Sequence, residues 1–275
     1  MKPIIKYIGG KQKEIDNFKQ YIPKEFNTYY EPFVGGGAVY WYLEPNNAVI
    51  SDTNKKLIDF YLSIKVNYYN FIEEIHDFSQ IFNAFTKQEQ SEMYYKIRDM
   101  YNNKIPKEYS NTLIYYFINK MAYCGIQRVN KKGEFNVPYG RYEKINYEQV
   151  ITEEHHKLLK HTIIKHCDFN DIFDIASKDD FMFIDPPYDD VFNNYGNNDK
   201  FDRAKHVELY QRFTSTDCKC LVVIGKTDFA EQLYYDYIID EYDKKYAVNG
   251  RTNKNSKHLV CANFYCWHLS VTMIQ

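Results

Sequence analysis

TYYEPFVGGGAVYWYLEPNNAVISD, residues 28–52, decides how the rest of the chain is read. A short apolar run ends at Glu31-Pro32, a glycine cluster follows (Gly35 to Gly37), a helical stretch begins near Ala38, and a second apolar run stops at Asp52. Strand, glycine turn, helix, strand is the rhythm of a parallel nucleotide-binding sheet. Glycines at such a turn reach φ > 0 and let the backbone approach a ligand closely. A dinucleotide fingerprint would place another glycine or an alanine where Tyr40 stands, so the loop does not suit NAD. Asp52, at the end of its strand, suits a ribose diol. The loop carries the acid Glu31 and no cation for a phosphate. A nucleoside bearing positive charge therefore fits better than ATP, and S-adenosylmethionine is such a ligand. The plainer alternative is a flexible loop followed by a helix-capping Asp52.

Beyond Lys55 the pattern changes. Leu57, Tyr61, Ile64, Tyr68, Phe71, Ile75 and Phe78 step by four and three, which predicts a long helix with one apolar stripe. Further helix is predicted around 90–101, and the stretch 110–123 is apolar on all sides, as a buried helix would be. NKKGEFNVPYG, 130–140, has turn signals at Lys132-Gly133 and Pro138-Tyr139-Gly140, which predicts a β-hairpin projecting from the helices. Strands return at 161–169, 181–185 and 220–225, and 261–267 reads as an edge or hairpin strand. The expected organisation is an interrupted α/β sheet, residues 1–55 with 160–275, carrying a helical insert, 56–159, over the ends of the strands where ligands bind.

Composition narrows the function classes. The chain has 275 residues, a net charge of −2, 28 Tyr and 19 Phe. It is no general polyanion binder, although local basic stretches can meet phosphates and flat rings can stack on bases. Much of the tyrosine excess is equally accounted for by a bias toward AT-rich codons. Six cysteines form no CxxC pair, which argues against a structural metal and fits reduced thiols in the cytoplasm. No apolar run reaches membrane length, and the start MKPIIKYIGGK lacks a signal-peptide core, so a soluble, unexported protein is expected.

FMFIDPPYDD, 181–190, carries the chemistry. An apolar strand stops at an acid followed by two prolines, which remove two donors and lock two φ angles. The exocyclic N6 of adenine is a poor nucleophile because its lone pair is delocalised into the ring. A carboxylate and a fixed carbonyl that accept both of its hydrogens would free that lone pair for a methyl group. Asp185 and the Pro186 carbonyl are the candidates, kept stationary by Pro186-Pro187. Tyr188 would stack on the base. Such a base lies inside a duplex and must first be flipped out. A strand-end turn leading into an extended segment is the structural alternative. Asp189 and Asp190 have no role in this scheme.

Taken together, KYIGGK (6–11), EPFVGGGAVY (31–40), SD (51–52), YCGIQRVNKKGEFNVPYGRYEK (123–144), CDF (167–169) and DPPY (185–188) resemble, in that order, the Dam-type DNA adenine-N6 methyltransferases of the D12 class, alpha group. The resemblance implies a class I S-adenosylmethionine-dependent methyltransferase sheet with an inserted helical target-recognition domain, bearing a hairpin near 123–144. Tyr7, Lys11, Glu31, Phe33, Gly35, Gly37, Asp52, Asp168, Phe169 and Asp185 match the cofactor site, and Asp185 to Tyr188 match the catalytic tetrapeptide. Tyr123, Cys124, Ile126, Arg128, Asn130, Pro138, Arg141 and Tyr142 match the DNA-contacting segment. Arg128 stands where an arginine reads a guanine, the commonest specific major-groove contact. Lys131, Lys132 and Lys144 would join Arg141 on phosphates, or lie on a merely solvated surface. The segment is most similar to that of GATC-recognising members.

Two departures stand out. Cys124 replaces a frequent asparagine, and VIGKTD (223–228) replaces a serine-asparagine pair. A second basic run, 244–257, reads equally as a DNA-facing or a solvated loop. Double-stranded DNA is the implied substrate, and a cognate restriction endonuclease acting separately is a partner the resemblance allows. Methylation of RNA or of a protein amide, and a catalytically silent DNA-binding protein, are the rival readings. Intact Asp185 and Tyr188 oppose the last.

Overall fold

The computed structural model describes residues 1–188, 201–245 and 255–264. After α1 (Ile15–Phe18) come β1 (Tyr29–Glu31), α2 (Ala38–Leu43) and β2 (Ala48–Asp52). Four helices follow: α3 (Lys55–Ala84), α4 (Lys87–Tyr101), α5 (Asn111–Met121) and α6 (Glu153–Lys160). The sheet then resumes with β3 (Thr162–His166), α7 (Phe169–Phe173), β4 (Phe181–Ile184), α8 (Arg203–Ser215) and β5 (Lys219–Gly225). It closes with α9 (Asp228–Leu233), β6 (Ile238–Lys245) and β7 (Asn255–Ala262). Strand order is β3-β2-β1-β4-β5-β7-β6, with β7 antiparallel to both of its neighbours and the other described pairs parallel. This is the interrupted α/β sheet that the resemblance implies.

The central strands β1, β2, β4 and β5 are buried on both faces, so they read as apolar runs without alternation. Tyr29, Ile50, Phe181, Phe183, Leu221 and Val223 enter one core together with α3 to α6. Tyr30, Val49, Met182, Ile184, Val222 and Ile224 enter a second core with α7 and α8. The α3 stripe is buried throughout, from Leu57 to Phe78. Asn54 caps the helix by accepting from the Leu57 N–H, and Asn67 kinks it with φ −119° and ψ 29°. Thr86 and Glu89 form a reciprocal cap on α4, and Ser110 caps α5. The helical insert thus shares one continuous apolar core with the sheet.

Two expectations need correction. The last described strand is Asn255–Ala262, which shares only Cys261 and Ala262 with the expected 261–267 and begins earlier, because its polar start (Ser256, Lys257, His258) hides the strand signal. The segment 130–140 does double back as an antiparallel hairpin, the Asn130 N–H on the Glu134 carbonyl at 2.8 Å and the Asn136 N–H on the Arg128 carbonyl at 3.2 Å, but it forms no continuous ladder. Isolated bridges join Ala122 with Tyr139 and Val129 with Phe135, and Asn130 closes the turn by accepting from the N–H groups of Lys132 and Glu134. Nor does it project: Phe135, Val137 and Tyr139 sink into the helical core, and the Val137 carbonyl accepts from the Tyr94 hydroxyl at 2.9 Å. Asp189 and Asp190, most of the run 244–257, and 265–267 lie outside the described residues.

Candidate active site

β1 and β4 are neighbours at the point where strand order reverses, so their carboxyl ends open a crevice. A cavity of about 780 Å³ lies there. Of the residues assigned from sequence to the cofactor, all line it: Tyr7, Lys11, Glu31, Phe33, Gly35, Gly37, Asp52, Asp168, Phe169 and Asp185. Pro186, Pro187 and Tyr188 line it too.

The glycine loop forms the floor. Gly35 and Gly37 have φ of 44° and 66°, the left-handed region that glycine tolerates. A Cβ on Gly35 would stand 2.8 Å from the Tyr7 ring, so glycine is what lets Tyr7 lie across the loop. The Gly35 N–H donates to Asp52 at 3.0 Å, the Asn54 N–H donates to the other Asp52 oxygen at 2.9 Å, and the Tyr61 hydroxyl donates to the Gly35 carbonyl at 2.9 Å. These bonds fix the loop against β2 and α3.

Two acids are perturbed, Glu31 the more strongly. Glu31 is 3% exposed, and accepts from the Tyr29 hydroxyl at 2.6 Å and the Tyr40 N–H at 3.1 Å. Burial pushes its carboxyl up to about 8, opposed by the Tyr29 hydrogen bond and reinforced by Asp185. Burial also raises Asp52, against the backbone N–H groups of Asn54 and Gly35 that favour its charge. Among the described residues neither acid forms a salt bridge, Lys11 and His166 only lowering them from a distance, and both would gain from a ligand that brings positive charge.

At the far end lies an aromatic cluster. Phe33 stacks on Phe169 with centroids 5.6 Å apart, and Phe201 meets them edge-on at 5.5 and 5.9 Å. Asp168 caps α7, accepting from the Asn170 N–H at 3.1 Å. Lys205 stands 2.9 Å from Glu208 and 3.8 Å from Asp168. Phe201, Lys205, Glu208 and Asn54 line the cavity and were not found by sequence reasoning. Phe201 follows no motif, and Asn54 reads only as a helix cap.

The tip of β4 carries the sharpest geometry. Lys11 is 2% exposed, and its Nζ donates to both Asp185 oxygens at 2.6 Å and to the Gly9 carbonyl at 2.9 Å. The Tyr188 hydroxyl donates to Asp185 at 3.2 Å, and Lys11 Nζ lies 5.2 Å from the centre of the Tyr188 ring. A nitrogen donor therefore already sits on the carboxylate, against the face of an aromatic ring.

A model of the D12 class N6 adenine-specific DNA methyltransferases matches residues 7–248. The chain belongs to this family. It is 38% identical over 273 residues to the Type II methyltransferase M.CviBI of Paramecium bursaria Chlorella virus NC1A, covering 96% of this chain and all of that protein. It is 34% identical over 276 residues to the Type II methyltransferase M.MjaIII of Methanocaldococcus jannaschii, covering 92% and 95% of the two chains. To the DNA adenine methylase of Haemophilus influenzae it is 32% identical over 189 residues, covering 68% and 64%. The enzyme is an adenine-N6 DNA methyltransferase. Among its described residues no helix is long and apolar enough to cross a membrane.

In this methyltransferase the segment 123–144 is placed differently from the pocket. Tyr123, Cys124, Arg128, Pro138, Arg141 and Tyr142 are exposed, whereas Ile126 and Asn130 are half-buried. Cys124 and Arg141 have positive φ, 53° and 58°. The Tyr123 N–H donates to the Pro138 carbonyl at 2.9 Å, which holds the two arms together. Lys6 Nζ lies 4.4 Å from the Tyr142 ring centre, so the amino-terminal motif and this segment share one surface. The Asn130 side chain is engaged by its own turn and by Glu134. The Arg128 Nε donates to Asn136 at 2.9 Å, which leaves the rest of its guanidinium fork outward.

Proposed function

We propose that the enzyme transfers the methyl group of S-adenosylmethionine to N6 of an adenine flipped out of duplex DNA, within GATC. The observation that carries the reading is the Lys11 ammonium, held by both oxygens of Asp185 beneath Tyr188. The acceptors at the tip of β4 bind a nitrogen donor, and the target amine has the same need. Lys11 must give up this position for N6 to enter.

The residues present suit the cofactor. S-adenosylmethionine, when bound, supplies a methyl group on a sulfonium. The cluster of Phe33, Phe169 and Phe201 offers faces and edges for its adenine, Asp168 offers an acceptor beside them, and Asp52 stands where a ribose would lie. Glu31, neutral near pH 7 while it lacks a cation, would ionise against the ammonium. At the reacting end Asp185 and the Pro186 carbonyl accept the two N6 hydrogens and leave the lone pair aimed at the methyl group. Tyr188 holds the base by stacking, a contact worth about 1–3 kcal/mol.

Residues 1–55 with 160–275 would form the catalytic unit, and 56–159 the target-recognition unit. Arg128 would read a guanine, while Tyr123, Cys124, Ile126, Pro138 and Tyr142 border the bases and Arg141 meets a phosphate. GATC rests on the likeness of this segment to that of GATC-recognising members. The printed names of two relatives, Type II methyltransferases, favour a role beside a restriction endonuclease. Single-molecule sequencing of duplex DNA treated with the enzyme and S-adenosylmethionine tests the whole reading. N6-methyladenine within GATC is expected. The same mark in another short sequence would keep the chemistry and remove the target, and transfer to RNA or a protein amide would remove both.

A further inference from the structure

Tyr188 is gripped from a side that the DPPY motif does not supply. Its ring lies over Gly225 of β5, where a Cβ would come within 3.2 Å of it. Gly225 pairs across the sheet with His258 of β7, and the His258 ring meets Tyr188 edge-to-face, with centroids 5.2 Å apart and planes at 74°. His258 is 1% exposed, and its Nδ1 lies 2.8 Å from a carboxylate oxygen of Glu14, itself 4% exposed. The same oxygen accepts from the Tyr242 hydroxyl at 2.9 Å, and the other accepts from Lys244. Glu14 also ties back to the active site, since its N–H donates to the Lys11 carbonyl at 2.7 Å.

We propose that Glu14 and His258 are positioning residues that set the Tyr188 ring for the flipped base; the proposal rests on the stacking role given to Tyr188 above. With Glu14 as acceptor, Nδ1 of His258 carries hydrogen, which fixes the tautomer and plane of the imidazole. The imidazole then fixes the plane of Tyr188 at one edge, while the hydrogen bond to Asp185 at 3.2 Å fixes its hydroxyl. Filling space does not require these groups. An apolar side chain at 258 would pack against the tyrosine without desolvating a carboxylate and a lysine, and such replacements are commonly neutral or stabilising. What the polar network adds is orientation. The two elements it joins, the amino-terminal motif and the β6–β7 hairpin, both flank Tyr188, through Lys11 and His258.

The test uses the full-length enzyme, with the unmodified duplex for turnover and, for fluorescence, a duplex with 2-aminopurine in place of the adenine that methylation mapping identifies. His258→Phe keeps a ring but loses the Nδ1 hydrogen. It should lower kcat on the order of 10- to 100-fold, as misplaced reacting groups do. Cofactor affinity and the KM for DNA should not change. Emission from 2-aminopurine in the complex should exceed that of the wild type, because the base is flipped but less well stacked. Glu14→Gln, of the same shape and with one acceptor oxygen left, should give a smaller change in the same direction.

His258→Phe with wild-type kcat and emission overturns the proposal, even if its melting temperature falls, since that is what a merely structural role gives. Should it not fold, the same result for Glu14→Gln overturns it. If neither the wild-type complex nor that of Tyr188→Ala shows an emission increase over free duplex, the base-flipping reading fails, and the proposal with it.

Discussion

The pocket at the ends of β1 and β4 and the segment 123–144 are built on opposite plans. In the pocket almost every polar group is already bound within the protein: Glu31 by Tyr29 and Tyr40, Asp52 by Gly35 and Asn54, Asp185 by Lys11 and Tyr188. In the segment the backbone is fixed by bonds such as Tyr123 to Pro138, while Tyr123, Arg128, Arg141 and Tyr142 stay exposed. The difference separates two tasks. Methyl transfer needs acceptors that do not move, because preorganised dipoles pay no reorganisation at the moment of reaction. Target reading needs side chains that reach a partner outside the protein, so its specificity is settled only on DNA.

Substitutions at four residues sharpen or break this contrast. The largest effect is expected at Asp185. Asp185→Asn should lower kcat by about 100-fold or more while cofactor affinity survives, as single-turnover assays and calorimetry would show. Asparagine is the cleaner change, because it keeps one oxygen to accept from the buried Lys11 ammonium, whereas alanine removes both acceptors and adds a larger folding defect. Activity close to wild type would remove Asp185 from the chemistry.

Tyr188→Ala should cost about 1–3 kcal/mol in kcat/KM, and Tyr188→Phe much less, since the face of the ring is retained. Equal losses would mean that the hydroxyl on Asp185, and not stacking, is what matters. Arg128→Ala should reduce discrimination at one base pair by about 1–3 kcal/mol, while turnover on saturating DNA persists. Unchanged preference across a panel of single-base variants would show that the segment does not read sequence through this residue.

At Glu31 the effect on turnover should be the smallest, and the change is expected in stability. Folded Glu31 holds its proton up to about 8, whereas an unfolded chain releases it near the ordinary 4.5. Its contribution is therefore fully present below the ordinary value and lost as pH rises through about 8. Glu31→Gln should flatten that part of the fall, so the melting temperatures of variant and wild type should draw apart in the variant's favour toward pH 8. A difference that does not depend on pH would mean Glu31 is already ionised in the free enzyme.

The same contrast governs what could be read from the sequence. Pocket residues were legible because their chemistry is local: a glycine turn after a strand, an acid at a strand end, two prolines that remove donors. The α3 stripe was legible for the same reason, since burial on one helix face leaves a period. Phe201 was not, because it enters the pocket from beyond residues 189–200 with no spacing that marks it. The shape of 130–140 was misjudged because its turn signals are real while its alternate residues, Phe135, Val137 and Tyr139, are used as core. The start of β7 was missed at His258, a buried polar residue whose partner Glu14 lies far away in the chain. Side-chain pairs of that kind carry no periodic trace.

The account stands most directly on where the methyl group goes. Duplex DNA is incubated with methyl-labelled S-adenosylmethionine and the enzyme, digested to nucleosides and separated. The prediction is label in N6-methyldeoxyadenosine with the wild type and its near-complete loss with Asp185→Asn. Label in a methylated cytosine, or undiminished labelling by Asp185→Asn, would contradict the claim that the tip of β4 holds an adenine amine for transfer.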